Sequence, residues 1–219
     1  MSIRYGIYYT PPPDHPLWRA GCEWLGRDPS VPAVTPPARV GVNEPWRYGF
    51  HATLKPPMRL IDSRDEESLR TAIADLAKRT PRFEMPRLSV QPLGEFITLR
   101  PVDPLQPDHP LRRLADACVT ELDAWRDRPS PEEQQRRAAL TLSEGERETL
   151  RRYGYPYVLE HWRFHMTLTD RHADVLLPAA VEHFAGALSQ QPLGCDALSL
   201  FVESAPGQPF RLVHRFALA

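Results

Sequence analysis

The chain has 219 residues, with 27 lysines and arginines against 28 aspartates and glutamates, so it is long enough for one large domain or two modest lobes and carries no global field that would recruit nucleic acid or an anionic membrane. Cys22, Cys118 and Cys195 are widely separated and form no CxxC pattern, which points to neither a disulfide framework nor a thiolate metal site. The opening Met1-Ser2-Ile3-Arg4-Tyr5-Gly6 lacks the basic-then-apolar build of a signal peptide, and nowhere do eighteen apolar residues run together; the expectation is a soluble protein of a reducing cytoplasm.

Ile3 to Tyr9 is rich in β-branched and aromatic residues and predicts a strand, stopped by Pro11-Pro12-Pro13. Asp14 is placed to cap a helix through Leu25, with Gly26 ending it. The proline-crowded stretch from Asp28 to Pro45 predicts a loop or arm. A strand around His51 follows. Ser63 and Glu66 then have capping-box spacing, and Leu69, Ile73 and Leu76 give a helical stripe to about Lys78. Strands are predicted around Phe83 to Val90 and Phe96 to Pro101.

Pro110 to Trp125 predicts a helix with the stripe Leu111, Leu114, Cys118 and Leu122. Arg126 to Arg152 is strongly charged, with helix starts at Ser130-Pro131-Glu132-Glu133 and Ser143-Glu144-Gly145-Glu146, and is expected to be an insert with a solvated face. The second half then repeats the order of the first: a strand at His165, a helix from Asp174 to Leu188, and strands at Ala197 to Val202 and Phe210 to Phe216. Leu88-Ser89-Val90 is echoed by Leu198-Ser199-Leu200, and Phe96 and Phe210 each lie 45 residues after a histidine. These echoes predict a diverged internal duplication.

At the centre of each half stands the same tetrapeptide, His51-Ala52-Thr53-Leu54 and His165-Met166-Thr167-Leu168, each preceded by phenylalanine. In a strand the histidine and threonine share one face, about 7 Å apart, while the apolar pair faces a core. Two histidines can divide the proton transfers of phosphodiester cleavage, one as base and one as acid. The threonine hydroxyls of Thr53 and Thr167 can donate to phosphoryl oxygens as charge builds. No cofactor is required, and His161, four residues before His165, is not expected to form a metal pair on a strand.

The paired H-x-T motif resembles that of the two-histidine (2H) phosphoesterase superfamily. The words Arg47-Tyr48-Gly49-Phe50-His51 to Lys55, Tyr155-Pro156-Tyr157, Phe164 to Thr169, Arg4-Tyr5-Gly6-Ile7-Tyr8 and Pro16-Leu17-Trp18 look like its branch associated with phosphonate-utilisation operons. The resemblance implies a two-lobed α+β fold of LigT-like type, with antiparallel sheets lining a central cleft and helices outside. It would be one bilobal domain over 1–219: a first lobe of about 1–105 and a second of about 106–219 carrying the insert 126–152. It further implies metal-independent opening of a cyclic phosphate, for this branch 5-phosphoribosyl 1,2-cyclic phosphate.

A substrate with a second phosphate would need further cations, for which Lys55, Arg47, Arg163 and Arg4 are the candidates. Strand alternation places Lys55, Arg47 and Arg163 on the histidine faces, although a surface ion pair is the commoner fate of an arginine. Tyr48 and Tyr157 are candidates for a phosphate or ribose contact, or are simply core. Four other function classes remain to be weighed. A serine or cysteine hydrolase lacks its Gly-x-Ser-x-Gly elbow, and a nucleotide-binding protein lacks a glycine-rich loop. An RNA-end phosphodiesterase, or a binding module without turnover, stays open, though near-zero net charge argues against long nucleic acid.

Overall fold

A computed structural model describes residues 3–32, 39–139, 141–190 and 192–219, with the main chain alone at 131, 132, 136 and 138. Strand β1 (Arg4–Tyr9) leads into α1 (Pro16–Leu25), whose first turn is capped by His15: its Nδ1 accepts from the Leu17 amide at 3.1 Å, and Gly26 at φ 71° closes the helix. His109 caps α4 (Pro110–Glu121) in the same way. Both of these proline-flanked histidines are therefore capping residues.

Between them the order is α2 (Asn43–Tyr48), β2 (Ala52–Met58), α3 (Glu66–Arg79), β3 (Phe83–Glu84), β4 (Leu88–Leu93) and β5 (Phe96–Pro101). Beyond α4 come α5 (Pro131–Ala138), α6 (Glu144–Tyr153), β6 (Met166–Thr167), α7 (Leu177–Leu188), β7 (Gly194–Cys195), β8 (Ala197–Glu203) and β9 (Arg211–Ala217). The insert forms helices α5 and α6, and both carry the capping boxes expected at Ser130–Glu133 and Ser143–Glu146. No helix among the described residues is long and apolar enough to cross a membrane.

Three local expectations need correction. Arg47 and Tyr48 lie on the short helix α2, not on a strand leading into His51. The box that starts α3 is Asp65 with Ser68, because Glu66 is already helical and Asp65 holds the extended conformation an N-cap needs. The alternation of Trp162, Phe164, Met166 and Leu168 yields a strand of only two residues, and His161 belongs to a 3-10 turn, Leu159–His161. Where β6 stops pairing, the Trp162 indole donates to the Thr53 carbonyl at 2.9 Å and replaces a ladder bond.

All but two of the strands form one antiparallel sheet in the order β4-β5-β6-β2-β1-β8-β9. The H-x-T strands β2 and β6 are the central pair, and a pseudo-two-fold axis runs between them. Moving outward, β5 matches β1 and β4 matches β8, so the Leu-Ser echo falls on strands in matching places, although the registers set Gln91, not Ser89, in correspondence with Ser199. The echo of Phe96 and Phe210 has no such match, since β9 is an added edge strand and β1 occupies the place opposite β5.

The boundary expected near residue 105 does not divide the sheet, because the two sequence halves interleave. Helix α3 follows β2 and packs under β8 and β9, whereas the next hairpin, β4-β5, crosses to join β6. Helix α7 follows β6 and packs under β4, whereas β8-β9 crosses to join β1. The two crossings meet in a small ribbon, β3 with β7, pairing Phe83 with Cys195 and Glu84 with Gly194. Ala52, Leu54, Met166, Leu168, Ile7 and Leu99 line the apolar back of the sheet, buried in one core. The front is polar.

Candidate active site

The register of the central pair sets Ala52 opposite Met166 in an antiparallel ladder. Alternation then sets His51 beside Thr167 and Thr53 beside His165 on the front face. The two histidines are diagonal neighbours, with Cβ atoms roughly 7 Å apart by ladder geometry. All four side chains are half-buried.

Both imidazoles are anchored alike. Nδ1 of His51 donates to the Gly49 carbonyl at 2.8 Å, and Nδ1 of His165 to the Arg163 carbonyl at 2.8 Å. A carbonyl can only accept, so each neutral ring carries its proton on Nδ1 and leaves Nε2 free to take one. Thr53 Oγ1 lies 3.3 Å from His51 Nε2. Gly49 makes this possible on one side: at φ 80° it ends α2, and a Cβ there would lie 2.8 Å from Pro29.

Burial pushes the His51 pKa down to about 4; the Gly49 carbonyl opposes that shift, while His165 and Arg27 reinforce it. Burial also pushes His165 down, against the Arg163 carbonyl and helped by Arg100. Both rings are therefore neutral near pH 7.

One wall of the site is aromatic. Tyr8 is fully buried and stacks on the His51 ring at 3.9 Å between centroids, and its ring tip occupies the space a side chain at Gly6 would need. Among the described residues its hydroxyl has no hydrogen-bond partner. Tyr48 stacks on Phe210 at 4.8 Å and stands 6.1 Å from His51. Arg27 clamps this wall by donating to the carbonyls of Trp46, Arg47 and Phe210. The carboxylate of Asp170, just past the second motif, accepts from the Asn43 amide at 3.0 Å and the Glu44 amide at 2.8 Å, tying α2 to the strand of the other histidine.

The cationic candidates separate. Arg4 and Arg47 both reach the fully buried Glu203, Arg4 through Nε and Arg47 through Nη1 at 2.9 Å; Arg47 also donates to the Tyr48 hydroxyl at 3.0 Å. They form a fixed Arg-Glu-Arg bridge beside the aromatic wall. Lys55 does not follow the alternation of His51 and Thr53: a register shift opposite Ile7 and Tyr8 turns it, and its ammonium donates to the Val119 carbonyl at 3.0 Å and pairs with Asp123 at 3.3 Å. Only 2% exposed, it has its pKa pushed down by burial to about 8.

Arg163 contributes its carbonyl, with its side chain exposed, and Tyr157 is exposed at the edge of Tyr155. From the insert, Arg126 pairs with Asp123 at 2.7 Å and Arg151 with Glu148, while the Arg136 side chain lies outside the described residues. Tyr8, Glu203 and Arg100 escaped the sequence reading. Tyr8 and Arg100 sit within predicted strands and Glu203 one residue beyond the predicted end of another, but the order of strands that gathers them was not legible.

A seven-stranded antiparallel α+β fold with two anchored histidines and two threonines at its centre defines the class. Residues 53–211 match the family model described as "Protein of unknown function (DUF1045)", and the chain belongs to that family. It is 37% identical over 94% of its length to a protein of Janthinobacterium sp. (strain Marseille) named ribose 1,5-bisphosphate phosphokinase PhnN. It is also 37% identical over 96% of its length to the protein of that name from Laribacter hongkongensis (strain HLHK9). The chain spans about half the length of these curated relatives, 49% and 50%. Among solved structures it is similar to a phosphoesterase (TM-score 0.46, 13% identity, 99% of this chain and 98% of that one). It is likewise similar to E. coli LigT complexed with ATP (TM-score 0.48, 13% identity, 100% and 99%).

Proposed function

We propose that the chain is a phosphodiesterase of the two-histidine type that opens the cyclic phosphate of a small sugar, 5-phosphoribosyl 1,2-cyclic phosphate being the candidate substrate. The observation that carries this reading is the matched anchoring of the two rings, each with Nδ1 on a main-chain carbonyl, which leaves Nε2 as the atom that can take or give a proton. The names of the longer relatives speak of a bisphosphorylated ribose, which supports a small phosphorylated sugar. Their kinase chemistry is not carried over, since this chain has no glycine-rich phosphate loop.

His51, the ring with a pKa near 4, acts as base and takes a proton from water as the water oxygen bonds to phosphorus. His165 becomes protonated as the anionic substrate arrives, and gives that proton to the sugar oxygen as its bond to phosphorus breaks. Thr53 and Thr167 donate to the non-bridging oxygens. No step is assigned to a metal, and EDTA is expected to leave the rate unchanged.

The test is a panel of 5-phosphoribosyl 1,2-cyclic phosphate and 2',3'-cyclic nucleotides with the parent, His51→Ala and His165→Ala. Each variant is expected to lose at least about 100-fold in turnover. Parental rates in either variant would refute the pairing, and a preference for cyclic nucleotides would move the reading to RNA ends.

A further inference from the structure

Most of the cations around the site are already matched. Arg4 and Arg47 share Glu203, Arg215 pairs with Asp196 at 2.9 Å, and Lys55 pairs with Asp123. Arg100 differs. Among the described residues it forms no ion pair, its Nε is shielded from solvent with no hydrogen-bond partner, and its Nη1 makes only a 3.4 Å contact with the Pro92 carbonyl. A guanidinium has five donors in a fixed fork, and a shielded donor left unmatched is costly unless something else supplies the acceptor.

Its position is set by the sheet. Thr98 of β5 pairs with Thr167, and the next residue of β5 on that face is Arg100, beside His165. The guanidinium is close enough to hold down the His165 pKa. Under the pseudo-two-fold the corresponding neighbour of His51 is Thr10, which is buried, neutral and hydrogen-bonded to Ser199 at 2.8 Å. The Arg215 behind Thr10 is neutralised by Asp196. The two ends of the quartet thus differ: the cation that acts on His51, Arg27, spends both Nη groups on the carbonyls of Trp46, Arg47 and Phe210, whereas among the described residues the guanidinium of Arg100 at the His165 end has only its long contact with Pro92.

We propose that Arg100 is the anion-binding arginine of this site, donating to a non-bridging phosphoryl oxygen lodged beside His165 and Thr167. The proposal deepens the phosphodiesterase reading and rests on it for the reaction, yet anion binding can be measured without turnover. It orients the substrate, with the phosphoryl charge towards β5 and β6 and the sugar towards the Tyr8 and Tyr48 wall. It also favours protonation of His165, because an anion placed between the imidazole and the guanidinium offsets the repulsion that adds to burial in keeping the ring neutral.

Inorganic phosphate is the probe, titrated by calorimetry into the parent, Arg100→Gln and Arg100→Lys, with the His165 ring followed by NMR across pH in the unliganded proteins. Arg100→Gln is expected to weaken phosphate binding at least tenfold and to raise the His165 midpoint; Arg100→Lys is expected to keep the low midpoint but bind phosphate more weakly than the parent. Parental phosphate affinity in a folded Arg100→Gln protein overturns the proposal, as does a parent that binds no phosphate at millimolar concentration. Should Arg100→Gln fail to fold, parental affinity in Arg100→Lys overturns it. Arg100-dependent phosphate binding without turnover of any cyclic phosphate would sink the diesterase reading and leave this subsite standing. Turnover with parental KM in Arg100→Gln would do the reverse.

Discussion

Ala52 and Met166 face one another across β2 and β6, buried behind the sheet, and this pairing sets each histidine of the front face beside the other motif's threonine. A slip of one residue would turn one motif's polar side chains into the core, so the hydrophobic pattern itself enforces the geometry of the site.

The pH profile should carry the signature of two depressed imidazoles. The free protein needs a neutral base and a protonated acid, so kcat/KM is expected to fall below about pH 4 as His51 protonates. Its alkaline limb should begin below 6.5, because His165 is lowered too. Stability follows the same sign: a lowered histidine favours the folded state fully above 6.5 and loses that contribution as pH falls towards 4. Melting temperatures across pH 4 to 7 check the second statement, and a profile flat in this range would contradict it.

Tyr8 stacks on His51, yet its hydroxyl has no partner among the described residues. Tyr8→Phe keeps the ring and removes a buried polar group that costs about 1–3 kcal/mol when unmatched. Equal or higher stability and near-parental turnover are expected from chemical denaturation and the cyclic phosphate assay. Tyr8→Ala, which also empties the space, should cost about 3–5 kcal/mol.

Glu203 holds Arg4 and Arg47 together from a fully buried position. Glu203→Gln takes away the only carboxylate paired with Arg4 among the described residues and leaves Arg47 with the exposed Glu44 alone, for which about 3 kcal/mol of destabilisation is expected. Denaturant midpoints measure it. Loss of the Arg47 contact to Tyr48 should also raise KM more than it lowers kcat.

Asp170 supplies the acceptors for the first turn of α2 from the far side of the site. Asp170→Ala removes an N-terminal cap worth about 1 kcal/mol. Because α2 carries Tyr48, the expected kinetic result is a higher KM with kcat within a few-fold of the parent, and equal KM values would show that α2 needs no such tie.

Local structure was legible wherever one element settles it. The stripes of α3 and α4, the capping boxes of α5 and α6, and the glycine at the end of α1 depend on neighbours within a few residues, and all stand where the pattern predicted. Helix α2 was hidden by surrounding prolines and by the strand-like run towards His51. It exists because Asp170, 127 residues away from Asn43, caps it. Lys55 was misplaced because a register shift against β1 cannot be seen from β2 alone.

By itself the sequence determined that Thr53 and Thr167 would sit on strands with apolar backs, each strand starting directly after its histidine, since side-chain alternation is a local property of the chain. Which strands lie side by side was decided only by the folded sheet: the halves interleave, β1 enters beside β2, and β5 brings Arg100 to His165. Strand order reflects how helices α3 and α7 cover the sheet and where the β3-β7 ribbon lets the chain cross. Those contacts span up to two hundred residues, and no local pattern encodes them.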